Sequence, residues 1–80
     1  MDRELAQMVL MTSLRARIDL GDLMPILKEH ADAEKAESVR LAIASAIYEL
    51  GVVLERVFEQ FPDLQTECET RRKKYKRPYY

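Results

Sequence analysis

Residues 33–61 run for 29 positions without a proline, and Pro62 closes the stretch. Val39, Ile43, Ala46, Leu50, Val53 and Val57 recur at a 4-3-4-3-4 spacing, a heptad-like helical seam. Ile47, Leu54, Phe58 and Phe61 form a second stripe beside it, and Leu41, Tyr48 and Val52 lie on a third. Between Leu41 and Leu54 only Ser45, Tyr48 and Glu49 carry polar groups. A helix that is apolar on most of its circumference must be covered on most sides.

Length turns this pattern into a constraint. At about 1.5 Å per residue a straight helix over this stretch is a rod of roughly 43 Å. The whole chain has 80 residues, and a compact domain of that size has a radius of gyration near ~12 Å, a diameter of roughly 30 Å. The rod therefore bends, with Gly51 the natural place, or it projects and pairs with a second copy. Ala44 and Gly51, seven residues apart, share a face that another helix can approach closely.

The rest of the pattern is helical too. With only two Gly and a high content of Ala, Glu, Leu and Arg, no segment reads as a strand. A first helix is expected from about Asp2 to Leu20, with Leu5, Met8 and Val9 on its apolar face, widened by Leu10, Leu14 and Ile18. Gly21 supplies the left-handed conformation that commonly ends a helix. A short second helix, Leu23 to about Ala31, follows with Asp22 as N-cap and Pro25 in its first turn. Asp32 offers the next cap, so the long helix starts at Ala33, or else the two are one helix bent near residues 30–32. A fourth segment starts at Asp63 and carries Leu64, Cys68 and Tyr75, until Pro78 halts it. Beyond it the last five or so residues are expected to be mobile unless a partner holds them. The expected architecture is all-α, a small bundle of three to four helices. One long, largely apolar helix lies at its centre, and oligomerisation completes it.

Small size excludes barrels and doubly wound nucleotide-binding sheets, and with them most self-contained enzymes. One Cys rules out an intramolecular disulfide framework and suits a reducing compartment, so a cytoplasmic location is expected. The start mixes charges and the most apolar run, Leu41 to Leu54, is too short to span a bilayer, so no membrane span is expected. Gly21 and Gly51 stand alone, so no phosphate-cradling glycine loop exists. His30 and Cys68 could pair as base and thiol, and Glu29, Asp32 and Glu37 could gather round a cation. A partly exposed helix-end His, a half-buried structural Cys and a solvated acidic face are the simpler readings. No catalytic residue, cofactor or metal is expected.

The net charge of −1 hides an asymmetry. Residues 1–70 hold seven basic and fourteen acidic side chains, whereas residues 71–80 hold six basic and no acidic ones. The chain thus divides into an acidic helical domain, 1–70, and a basic tail, 71–80. The tail residues Arg71, Arg72, Lys73, Lys74, Tyr75, Lys76 and Arg77 offer contacts to an acidic protein surface. They could also neutralise nucleic-acid phosphates, with tyrosines to stack on bases. Short amphipathic neighbours cannot easily cover the third stripe of the long helix. Leu41, Tyr48, Val52 and Glu55 are therefore the candidate protein-binding residues, and a homo-oligomer, a dimer first, is the expected assembly. These features favour a non-enzymatic interaction module: an adaptor, an inhibitor, an immunity or antitoxin-like protein, or an assembly subunit. A nucleic-acid-associated protein acting through the tail is the alternative.

Overall fold

The computed structural model describes residues 1–75, without the side chains of Arg72 and Tyr75. The expectations for Lys76, Arg77, the mobile end and Pro78 lie outside the described residues. Three helices follow in order: α1 (Arg3–His30), α2 (Ala33–Gln60) and α3 (Pro62–Tyr75), and the described residues contain no strand. The chain is all-α.

The first two helices form a hairpin joined through Ala31 and Asp32. Asp2 caps α1, its Oδ1 accepting from the Leu5 N–H at 2.8 Å, and Asp32 caps α2, accepting from the Glu34 N–H at 3.0 Å. Ala31 takes extended backbone (φ −115°, ψ 153°), so α1 and α2 are separate helices and not one bent rod.

The structure corrects the expected break at Gly21. Helix α1 runs unbroken for 28 residues through both Gly21 and Pro25. The reason lies in phase. Ala6, Leu10, Ser13, Arg17, Leu20, Met24 and Leu27 follow a 4-3-4-3-4-3 spacing, so the face that packs on α2 stays in register across the glycine. Gly21 adopts ordinary helical backbone, with no positive φ. Pro25 removes one N–H, so the Gly21 carbonyl four residues earlier goes without its donor, while the fixed proline φ remains helical. Asp22 accordingly caps nothing.

The apolar face of α1 is also placed differently. Ala6 and Leu10 are fully buried, whereas Leu5 and Met8 are about half exposed or more, at 47% and 62%. At 100° per residue Leu5 and Met8 lie roughly 100° or more around the helix from the Ala6–Leu10 seam.

Gly51 does not interrupt α2, which runs unbroken from Ala33 to Gln60. The molecule is itself elongated, 43 Å along its longest axis with a radius of gyration of 14.9 Å. A 28-residue helix is about 42 Å long, so the hairpin length sets that axis. Phe61 ends α2 at φ −134°, its N–H donating to the Val57 carbonyl at 2.9 Å. Pro62 opens α3, where its missing N–H costs nothing. Asp63, the expected start of this segment, lies in the first turn of α3 and forms an ion pair with Arg3.

The core occupies one end of the hairpin. Ala6 and Leu10 of α1 meet Leu54 and Val57 of α2 and Leu64 of α3, with Val9, Leu14, Phe58, Phe61 and Cys68 packed around them. No residue from 14 to 53 is buried to the same degree. Arg3 reinforces this end from the surface, reaching Asp63 and also Glu67 at 3.4 Å. Such solvent-exposed pairs each contribute under about 1 kcal/mol, so the docking of α3 rests on Leu64.

Candidate functional site

The long face of α2 turned away from the core carries the candidate site. Its apolar centre comprises Leu41, 53% exposed, Tyr48, 71% exposed, and the partly covered Val52. Glu55 stands at solvent on the same face. The periodicity explains the arrangement: steps of seven, four and three residues keep these positions on one stripe. The seam from Ile43 to Val57 is turned away from it and is partly or fully covered, and Val39 at the start of the seam stays 50% exposed.

Beside the stripe lies a groove of about 560 Å³. Ala44, Ile47 and Gly51 line it from α2, Arg17 closes it from α1, and Phe58 and Gln65 meet at its end. Tyr48, Val52 and Glu55 share its wall, so the structure brings three of the four candidates onto one concavity, with Leu41 further along the stripe. A Cβ placed on Gly51 would have only the Arg17 guanidinium carbon near it, at 4.0 Å. The small residues thus shape an open notch and do not serve contact between α1 and α2.

Charges ring the stripe in pairs formed along α2. Arg40 donates to Glu37 at 2.7 and 3.1 Å, and Arg56 to Glu59 at 3.1 Å. The Arg40 hydrogen bond, reinforced by its charge, holds the Glu37 carboxyl below the usual range and raises the Arg40 guanidinium correspondingly.

A second exposed apolar surface was not anticipated. Met1, Leu5, Met8 and Met11 line the outer side of the α1 N-terminus, at 42–62% exposure. The 100° helical steps from Ala6 and Leu10 contain the signal for it, since those two residues mark the packed side. A smaller concavity of about 480 Å³ sits at the other end of the hairpin, with Met24, Leu27, Ala33 and Ala36 in its walls.

The basic tail begins inside α3. Arg71 pairs with Glu67 at 2.9 Å, and the side chains of Lys73 and Lys74 are exposed. The tail thus starts in contact with the acidic body of its own chain.

The remaining chemistry-bearing residues stay apart. His30 lies at the hairpin turn beside Glu29 with 74% of its side chain exposed, and Cys68 packs against the core at the opposite end. Burial raises the Cys68 thiol above its ordinary pKa, Glu67 adds to the effect, and Arg71 opposes it. That is the direction of an unreactive thiol. Among the described residues no three acidic, His or Cys side chains, Glu29, Asp32 and Glu37 included, gather as a metal would need. No helix among them is long and apolar enough to cross a membrane. The chain matches no protein-family model, no curated protein and no solved structure.

Proposed function

We propose that the chain is a non-enzymatic protein-interaction module that binds through the outer face of α2. Adaptors, inhibitors, antitoxin-like proteins and assembly subunits are the kinds of protein that work this way, and a reducing, cytoplasmic setting suits the lone thiol. The observation that carries the reading is the exposure of Tyr48 and Leu41 beside an open groove. Tyrosine is enriched at the centre of interfaces because it supplies large contact area and a hydroxyl at low entropic cost. The core gives independent support. Among the described residues its buried apolar side chains are Ala6, Leu10, Leu54, Val57 and Leu64, all towards one end, which leaves most of the hairpin to gain by association.

The basic tail serves as a second contact, to an acidic protein surface. Nucleic-acid binding through it finds less support. Arg71 is already engaged by Glu67, and the body next to the tail is acidic.

Capture from native lysate with the wild-type chain, Tyr48→Asp, and a Lys73→Glu/Lys74→Glu form tests the reading. A protein held by the wild type and lost with Tyr48→Asp, then bound again when purified, is the expected result. Identical captured sets from wild type and Tyr48→Asp would refute it. Tight binding of single-stranded DNA in low salt, lost with the lysine reversals, would favour the tail reading instead.

A further inference from the structure

We infer that the occupant of the α2 face is a second copy of this chain, packed antiparallel on the first with the two Tyr48 residues near the two-fold axis. This rests on the reading of the α2 face as a protein-binding surface, and it names the partner.

The first reason is shape. A two-fold axis makes one patch serve as both donor and acceptor, so each projecting group needs a recess within the same patch. Tyr48 projects at 71% exposure, while Ala44 and Gly51, four before it and three after it, leave a notch with nothing close to a Gly51 Cβ but the end of Arg17. Antiparallel helices crossing at Tyr48 bring each tyrosine over the small residues of the other.

The second reason is charge. Arg40 precedes Tyr48 by eight residues and Glu55 follows it by seven. Antiparallel crossing sets Arg40 of one copy at nearly the height of Glu55 of the other, about 12 and 10 Å from the axis. Steps of 100° per residue put Arg40, Gly51 and Glu55 on the same flank of the stripe, and the two-fold axis brings like flanks together. Each dimer thus gains two symmetric Arg40–Glu55 pairs. Glu37 and Glu59 also come to the same height, which would repel if they were bare. Both are already neutralised along their own helix, by Arg40 and Arg56. Parallel pairing would instead set Glu55 level with Glu55 and Arg40 level with Arg40, and gain no opposite-charge pair between these positions.

The third reason is the one-ended core. The stripe spans the part of α2 whose residues are all less than fully buried, and antiparallel pairing lays two such segments together with the two α3 ends pointing apart. A strip along one helix is small beside the ~800 Å² per partner of a standard interface. Association is therefore expected in the micromolar range.

Sedimentation equilibrium of the full chain up to high micromolar concentration tests this. Wild type is expected as a monomer–dimer system. Arg40→Glu and Glu55→Arg, both at exposed positions, should each weaken the dimer about tenfold or more, because each places like charges together at two sites. An equimolar mixture of the two variants should associate about tenfold more tightly than either variant alone, since both cross-copy pairs are then opposite in sign, with only the Glu37 of the Arg40→Glu copy left without its partner. Circular dichroism confirms that each variant retains its helices. A wild-type chain that is strictly monomeric overturns the self-pairing and leaves the face to an unlike protein, so the lysate test above still stands or falls by itself. A dimer indifferent to both reversals, or one that the mixture fails to strengthen, overturns the antiparallel register.

Discussion

Replacing Gly21 by Ala tests the continuity of α1 by the sign of its effect. In the structure Gly21 has helical backbone, and a Cβ built there meets nothing within 4 Å. Glycine inside a helix is worse than alanine by roughly 0.8–1 kcal/mol, through the entropy its backbone loses on folding. Gly21→Ala should therefore stabilise the fold by up to about 1 kcal/mol. In a chain of this size that raises Tm by roughly 4–8 °C. Were the glycine a left-handed helix terminator, an alanine Cβ would strain it at a cost of about 1 kcal/mol and Tm would fall by a similar amount. Thermal unfolding followed by circular dichroism separates the two at one fixed protein concentration, since association would otherwise move Tm. Pro25→Ala strengthens the test, as restoring an N–H to the Gly21 carbonyl should also stabilise, by at most about 3 kcal/mol. A lower Tm for Gly21→Ala would refute a continuous α1.

Other perturbations distinguish the two ends of the molecule. Leu10→Ala and Leu64→Ala, both at fully buried positions, should each cost about 2–4 kcal/mol in urea unfolding. Leu23→Ala, at a 42% exposed position on the outer hairpin, should cost less than about 1 kcal/mol. Asp32→Ala removes the α2 cap and should cost about 1 kcal/mol by the same assay. Since burial raises the Cys68 thiol pKa, its alkylation rate in the folded protein should keep rising with pH beyond the point where the urea-unfolded chain levels off. The neutral thiol is the form that folding favours. That contribution is present below the unfolded pKa and is lost as pH climbs through the folded one. A native profile that levels off at or below the unfolded one would place Cys68 outside the core.

Much of the helical layout can be read from residues with a single physical meaning. Pro62 must end the helix before it, so the C-terminal limit of α2 is visible in the sequence. Asp32 as a cap leaves open one helix bent near residues 30–32, and only the extended backbone of Ala31 separates α1 from α2. Gly21 and Pro25 are ambiguous too, because both tolerate helix as well as ending it. Only the 4-3 phase of Ala6, Leu10, Ser13, Arg17, Leu20, Met24 and Leu27 decides between these, and it includes a Ser and an Arg that hide it from a search for apolar residues. Leu5 and Met8 mislead in the opposite way, as apolar residues on a solvent face. Leu41 and Tyr48 could be singled out as exposed because three stripes on α2 outnumber the helices available to cover them. The groove beside them depends on Arg17 and Gln65, brought together by tertiary packing that no local spacing encodes. The Arg3 contact to Asp63 and Glu67 spans nearly the whole chain and has no local signal either.

Native-state hydrogen exchange measured across a range of protein concentrations addresses the central claim, a hairpin with its core at one end and a binding face along the rest. Amides near Leu10, Leu54, Val57 and Leu64 should be the slowest to exchange at every concentration, because they open only with the global fold. Amides from Leu41 to Val52 should exchange faster in dilute solution and gain protection as concentration rises. Protection spread evenly along α2 and unchanged by concentration would contradict both the one-ended core and the pairing of its outer face.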